Sequence, residues 1–552
     1  MKDIKPKKLD HMQAEQTKKA SILDGSAYNV MYGFGEQYVT PFAISLGASD
    51  SEIGILSSIP AFIGSLSQVL GAKFTENFQD RKKIVLWAVF LQAITIVPLF
   101  IVPFLTKNIL ALTVLFSLYL IFANIGGPAW NSWIGAVIPD DERTRYFAKR
   151  NKISIAALLI SVLIAGIILN YFSNASIWTG FAILFCISFL GRMTSWYFQT
   201  RQYEPKFVFD KKDYFSFTDF LKRMSKTNFG NFVIFRSLMA FAIMIASPFF
   251  AVYMLRYLDF SYIQYTIIIL VPMVIKILTM TYWGKYAQRF GNKRIMFVSA
   301  FLIALIPFWW FIAGFFLGHS IIVFYFLIFT ESLNGFAWAG FDLTTFNYML
   351  ETSSPQKRAR AFAYFNVIFG TFVMLGGILG AILVGVMHDL MIGSMIISAM
   401  LLVFLISTIA RGIVALTFVK KMDEIRINTH VGEGKLFFDL VVAKPMHSAL
   451  AHTAYTLNAA EENIERIEQK TKKTLQYISS PAKPIINDVA GFMDKGLESI
   501  EPIRKGIEPA PIRRRKKLHH QELIGHDYSA YIKSSPKIIK KLDRKRQKHK
   551  KR

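Results

Sequence analysis

The sequence predicts an all-α membrane protein: twelve transmembrane helices in two pseudo-symmetric six-helix halves, with a basic, partly helical C-terminal tail. Three observations predict it. First, 53% of the 552 residues are hydrophobic, 50 are Phe and the mean hydropathy is +0.36. Apolar windows long enough to cross a hydrocarbon core of about 30 Å recur through roughly the first 420 positions. One such window could be a buried core helix, but a soluble core has no room for a dozen helices that are apolar all round. Second, the Lys and Arg residues outside the tail fall almost entirely in alternate loops. Third, one pattern occurs twice, about 210 residues apart. Gly126-Gly127-Pro128-Ala129-Trp130 followed by Pro139 and Arg143-Thr144-Arg145 is echoed by Gly335-Phe336-Ala337-Trp338 followed by Pro355 and Arg358-Ala359-Arg360.

In chain order, residues 1–24 form a polar, basic N-terminal segment. The apolar stretch that follows is too long and too punctuated by polar residues for a cleaved signal. Helices are expected at 25–46, 51–72, 84–105, 109–138, 153–172 and 176–198, making a first half over 25–198. A loop at 199–230 joins it to a second half over 231–418, with helices at 231–256, 262–283, 294–317, 320–349, 361–387 and 392–418. Lipid offers no partners for free amides, so each span must be helical. The even-numbered loops are basic, with Arg81, Lys82 and Lys83 in the first and Lys285, Arg289, Lys293 and Arg294 in the fourth, whereas the odd-numbered loops offer only Lys107 and Arg256. The positive-inside rule then puts both termini and the 199–230 loop in the cytoplasm of a multi-pass cell-membrane protein. The single Cys186 permits no intrachain disulfide and says nothing of redox compartment.

A second duplicated feature lies in the loops after helices 2 and 8. Gly284 is followed by Gln288, Arg289, Gly291, Lys293 and Arg294; Gly71 is followed by Glu76, Arg81, Lys82 and Lys83. Here the chain resembles the major facilitator superfamily, whose signature in both loops is a Gly, an acid four positions on, then Arg-x-Gly and two basic residues. The second copy matches at Gly284, Arg289, Gly291 and Lys293, with Gln288 where the acid belongs. The first copy is one residue longer and offers Glu76 in the acid's place. The resemblance covers about residues 20–420 and excludes the tail. It implies two halves that rock around a midplane site, and a conformational latch in which the acid and Arg bond a neighbouring helix. The latch candidates are Gly71, Glu76, Arg81, Gly284, Arg289 and Gly291, with Arg143 and Arg358 from the other repeat. In such a fold helices 1, 4, 7 and 10 line the central cavity.

Ionisable residues at membrane depth cost about 3 kcal/mol or more and normally face a cavity or a partner. Few occur. Tyr28, Tyr32, Glu36 and Thr40 share one side of helix 1 with Gln37 beside them, and Glu331, Asn334, Trp338, Asp342 and Thr345 form a stripe on helix 10. Glu36 and Glu331 are therefore expected to be proton- or substrate-coupling carboxylates, each able to bind a proton in one state only. Arg236 on helix 7 and Lys276 on helix 8 are the expected counter-charges, or partners for an anionic substrate. Asp342 is expected either in the cavity or in a latch. Arg192 on helix 6 reads as a snorkelling or structural residue, and Trp130, Trp133 and Trp338 as interfacial anchors.

Residues 419–552 read as a cytoplasmic tail with a helix near 445–478, carrying Leu450, Leu457 and Ile464 at heptad spacing. From 503 onward the tail has 18 Lys/Arg against four acids. Anionic lipid headgroups are its expected partner, each cation adding about 1 kcal/mol. Nucleic acid ranks lower because few aromatics are interleaved. No phosphate-cradling Gly-Lys-Ser/Thr loop, metal-ligand cluster or nucleophile–base pair is visible, so no cofactor, metal or enzymatic activity is expected. The function expected is secondary active transport of a small solute by a monomer, coupled to a proton or other ion gradient. A lipid flippase of the same fold and a non-transporting receptor or scaffold presenting the tail are the alternatives.

Overall fold

The computed structural model describes residues 11–138, 140–205, 216–314, 320–353, 358–392 and 395–425. The expected tail helix near 445–478 lies outside them, as do the side chains of Arg143 and Arg358. Eleven described helices are long and apolar enough to cross a membrane. A broken first span precedes them.

That first span is α1 (His11–Phe34), a single 3₁₀ turn (Glu36–Tyr38) and α2 (Val39–Ser45). The apolar pattern had placed its start near 25. It begins a dozen residues earlier because its polar end finds partners: Thr17 accepts from the Tyr203 amide at 3.0 Å, and Asp24 accepts from Ser195 at 2.7 Å. The first half continues with α3 (Asp50–Phe78), α4 (Arg81–Thr106), α5 (Ile109–Val137), α6 (Asp140–Phe172) and α7 (Ile177–Thr200). A short helix, α8 (Phe217–Met224), lies in the connecting loop.

The second half also opens on a broken span: α9 (Asn228–Met244), an irregular turn over 245–248 containing Pro248, α10 (Phe249–Val252) and a π-helical turn (Tyr253–Tyr257). Pro248 has no N–H with which to continue the helical ladder. Then follow α11 (Tyr262–Phe290), α12 (Asn292–Ala313), α13 (Ser320–Thr352), α14 (Arg358–Val386) and α15 (Ala399–Phe418). The last helix was expected from 392. Instead β1 (Leu390–Ile392) and β2 (Met395–Ile397) pair antiparallel, Leu390 opposite Ile397, and Asp389 accepts the Ala399 amide that opens α15 at 3.0 Å. An isolated apolar run of this length carries no period that separates strand from helix.

Local chemistry is duplicated along with topology. The second helix of each half starts with a capping box, Ser49 with Glu52 and Ser261 with Gln264, which satisfies two helix-end amides at once. Packing is duplicated too. Within the first half α3 and α4 pack on α5, α1 on α6 and α7, and α4 on α7; within the second, α11 and α12 pack on α13, α9 on α14 and α15, and α12 on α15. The halves meet along two main seams related by the same symmetry, α3 with α14 and α6 with α11.

The two ends of the bundle differ. At the end away from the basic loops, one apolar core runs through both halves, joining Tyr38 and Phe42 to Ile245, Phe249 and Val252. At the basic end each half keeps its own core, around Trp133 and Tyr146 in the first and around Phe232, Phe341 and Tyr348 in the second.

Candidate functional site

The far-end closure is polar as well as apolar. Arg256, on the π turn of the second half, bonds Asp50 and the Ala48 carbonyl of the first, and the Tyr257 hydroxyl donates to Asp50 at 3.1 Å. Deeper down, the Tyr38 hydroxyl lies 2.9 Å from Thr266 Oγ1 on α11.

Glu36 and Glu331 do not face the space between the halves, as helix numbering alone had led us to expect. Glu36 sits in the break of span 1 and turns into its own half. It accepts from the Tyr119 hydroxyl on α5 at 3.1 Å and borders a water-sized cavity closed by Ile96, Phe116, Phe185 and Ser188. Tyr32 stacks on Tyr28 and bonds Gln37. Glu331 is likewise interior to its half: Trp310 on α12 donates to it at 2.9 Å, Asn334 donates at 2.7 Å, and Arg411 on α15 acts on it electrostatically. The +3, +4 stripe on α13 therefore splits. Trp338 packs against Phe341 in the basic-end core, whereas Asp342 reaches toward α11.

There Asp342 pairs with Lys276 on α11 at 2.6 Å, both side chains about one-third exposed. Arg236 on α9 interacts with Asp342 and holds its guanidinium over the rings of Phe341 at 5.0 Å and Phe369 on α14 at 4.9 Å. The cluster thus joins α9, α11 and α13 beside α14, and α11 and α14 are the helices that form the two main seams with the other half. It carries two cations and one acid.

In the first half, a cavity of about 410 Å³ opens between α1, α4, α5, α6 and α7, with Asp24, Trp130, Arg150 and Arg192 in its wall. Asp24 is held by Ser195 at 2.7 Å and Gln199 at 3.0 Å, with Arg150 Nη2 at 3.9 Å. Arg150 covers the Trp130 ring at 4.7 Å, so Trp130 is a wall residue and no simple lipid anchor. Trp133 is buried and donates to the Tyr203 carbonyl at 2.9 Å. Arg192 is 5% exposed and does not snorkel. Sequence reasoning passed over Asp24 and Arg411, though Ser188 with Arg192 and Ser407 with Arg411 repeat one i, i+4 spacing in the last helix of each half.

Of the latch candidates, Glu76 reaches the other half: its carboxylate accepts from Arg360 on α14 at 3.1 Å. Nearby, Asn366 on α14 donates to Gln68 on α3, which donates to Asn124 on α5, both at 2.8 Å. Arg81 is buried within its half, donating to Glu204 at 2.8 Å and to the Pro205 and Ser132 carbonyls. Glu204 also accepts the Arg81 and Lys82 amides that open α4. Glu424 repeats this after α15, accepting the Arg294 amide near the start of α12 at 3.2 Å. Gly291 has φ +92, and a Cβ there would strike the Glu424 carboxylate. Arg289 is exposed over the Phe290 ring.

A family model described as Major Facilitator Superfamily matches residues 26–243 and again 232–460. No curated protein matches the chain significantly. Among solved structures, a mutant form of the nucleoside transporter NupG is 15% identical, covers 74% of this chain and 100% of its own, and has a TM-score of 0.59. A D-xylose-proton symporter is 13% identical, covers 76% and 99%, and has a TM-score of 0.55. A bacterial homolog of the human lysosomal transporter Spinster, inward-facing and unoccupied, is 16% identical, covers 76% and 100%, and has a TM-score of 0.53.

Proposed function

The chain belongs to the major facilitator superfamily and is a secondary transporter of a small solute; from that premise we propose that it is ion-coupled through Asp342, Lys276 and Arg236. The observation that carries this reading is the Lys276–Asp342 ion pair, 2.6 Å long, with both side chains about one-third exposed. Proton binding to Asp342 removes the charge that holds Lys276 and balances Arg236. The cations are then free to meet a polar or anionic part of the solute, so solute and proton reinforce each other's binding. The halves rock about their two seams, opening the basic end and the far end in turn.

The positive-inside rule supports a cell-membrane orientation with both termini in the cytoplasm, so the far-end closure faces outward and the site opens inward. The tail's excess of cations supports contact with anionic headgroups of the inner leaflet. Glu36 and Glu331, closed inside their halves, are assigned to shaping rather than coupling.

Gradient-driven uptake in proteoliposomes tests this, with sugars, nucleosides, amino acids and organic anions as solutes. Asp342→Asn is expected to abolish accumulation against a gradient while leaving exchange of solute measurable. Full proton-driven accumulation by Asp342→Asn, or its loss in Glu36→Gln with Asp342→Asn intact, would overturn the assignment.

A further inference from the structure

Each half carries a buried arginine on its last span, one turn after a serine that bonds the broken first span. Ser188 donates to the Met31 carbonyl at 3.0 Å, and Ser407 donates to the Ala242 carbonyl at 2.6 Å. The arginines then differ. Arg411 is satisfied on three nitrogens: Nε donates to Ser407 at 3.0 Å, Nη1 to the Ile303 carbonyl and Nη2 to the Ile243 carbonyl, both at 3.2 Å. Arg192 donates only from Nη1, to Ser195 at 3.1 Å, and rests over the Tyr28 ring at 5.0 Å. Its Nε is buried without a partner.

A buried donor left unmet costs about 1–3 kcal/mol, more when the group is charged. A purely structural arginine in this frame would be bonded as Arg411 is. The unmet edge belongs to a residue in the wall of the 410 Å³ cavity, and two further buried polar atoms without partners, Ser154 Oγ and Gln199 Oε1, belong to the same wall. A volume of that order suits a small organic molecule.

We propose that this cavity binds the carboxylate of a small organic monoanion, gripped by the Nε–Nη2 edge of Arg192. The planar guanidinium fork matches the two oxygens of a carboxylate. Asp24 in the same wall repels a second negative charge, which selects a monoanion over a phosphoryl dianion. Ser154 and Gln199 supply hydrogen bonds to the body of the solute, and Trp130 supplies an apolar face. The site names a substrate class for the transporter and rests on that reading for its role in flux, whereas binding itself does not depend on it.

Purified full-length protein in detergent is titrated with benzoate, benzamide and phenyl phosphate, following heat release and melting temperature. Benzoate is expected to bind saturably, benzamide and phenyl phosphate at least tenfold more weakly; this comparison needs no variant. Arg192→Gln is expected to lose the preference for benzoate over benzamide, and Arg192→Lys to retain part of it. Equal binding of benzoate and benzamide by the wild type, tighter binding of phenyl phosphate, no benzoate binding, or an undiminished preference in Arg192→Gln would each overturn the site. Asp342-dependent flux of another solute without benzoate binding removes this site and leaves the transport reading standing; benzoate binding without flux of any solute does the reverse.

Discussion

Glu76 and Arg360 meet at 3.1 Å across the seam between α3 and α14, one from each half of the molecule. Two turns deeper, Asn366 and Gln68 continue the same seam. The pair lies at the basic end, while Arg256 and Asp50 close the far end.

Removing the basic-end contact should favour opening at the basic end and so closure at the far end. A partly exposed pair contributes about 1 kcal/mol or less, so Glu76→Gln should shift the balance of states several-fold. Spin labels at Leu105 and Ile321, both exposed near the far end on opposite halves, read this as a smaller longer-distance population in a Cys186→Ser background. Asp50→Asn, which loosens the far-end closure, should act oppositely and lengthen the same distance. If neither variant changes the distribution, these pairs are not part of the switch.

The two glycines that begin the repeated loops should respond differently to alanine. A Cβ on Gly71 would lie 2.3 Å from the Ile125 carbonyl oxygen, a backbone atom that cannot step aside, whereas the nearest atom to a Cβ on Gly284 is Leu343 Cδ2 at 3.7 Å. Gly71→Ala is expected to lower the melting temperature by several degrees or block folding. Gly284→Ala, in the corresponding helix of the second half, should be neutral or gain up to about 1 kcal/mol from helix propensity.

Arg411→Gln should destabilise the protein more than Arg192→Gln does. The first strips hydrogen bonds from Ser407 and two buried carbonyls, worth about 1 kcal/mol each, whereas the second removes a single bond to Ser195; each takes a cation from a buried glutamate, Glu331 and Glu36 respectively. Parallel thermal melts of the unliganded variants measure the order, and a larger loss for Arg192→Gln would contradict it.

Glu424 lies beyond the last span, and burial raises its carboxyl above the usual range against the pull of the Arg294 and Lys293 amides. A carboxyl that holds its proton more tightly folded than unfolded contributes stability below its unfolded pKa, and that contribution is lost as pH rises through the folded value. Glu424→Gln should therefore gain melting temperature relative to wild type between pH 5 and pH 7. A constant difference across that range would show that Glu424 titrates normally.

The helices and their pairing into halves were legible because they depend on quantities summed over many residues. Twenty apolar positions, the alternation of basic and cation-poor loops, and the recurrence of Trp130 as Trp338 survive the loss of any one detail. The candidate site was legible only in part. Asp342, Lys276 and Arg236 stand out as charges in apolar helices, and they do come together. Glu36 and Glu331 stand out in the same way, yet each turns away from the other half, because Tyr119 and Trp310 offer them hydrogen bonds inside their own.

By itself the sequence determined that this chain crosses a membrane about a dozen times, that it is a duplication, and which residues are costly to bury. Burial cost is a property of the side chain, so it can be read in one dimension. The tertiary structure alone decided where each costly residue spends that cost. It paired Glu76 with Arg360 and Asp50 with Arg256 across hundreds of positions. It also satisfied Arg411 while leaving Arg192 open beside a cavity, although the two occupy the same place in the repeat. The difference arises because hydrogen bonding is short-ranged and directional: it depends on which carbonyl, hydroxyl or carboxylate stands within about 3 Å, and only the packing of neighbouring helices sets that.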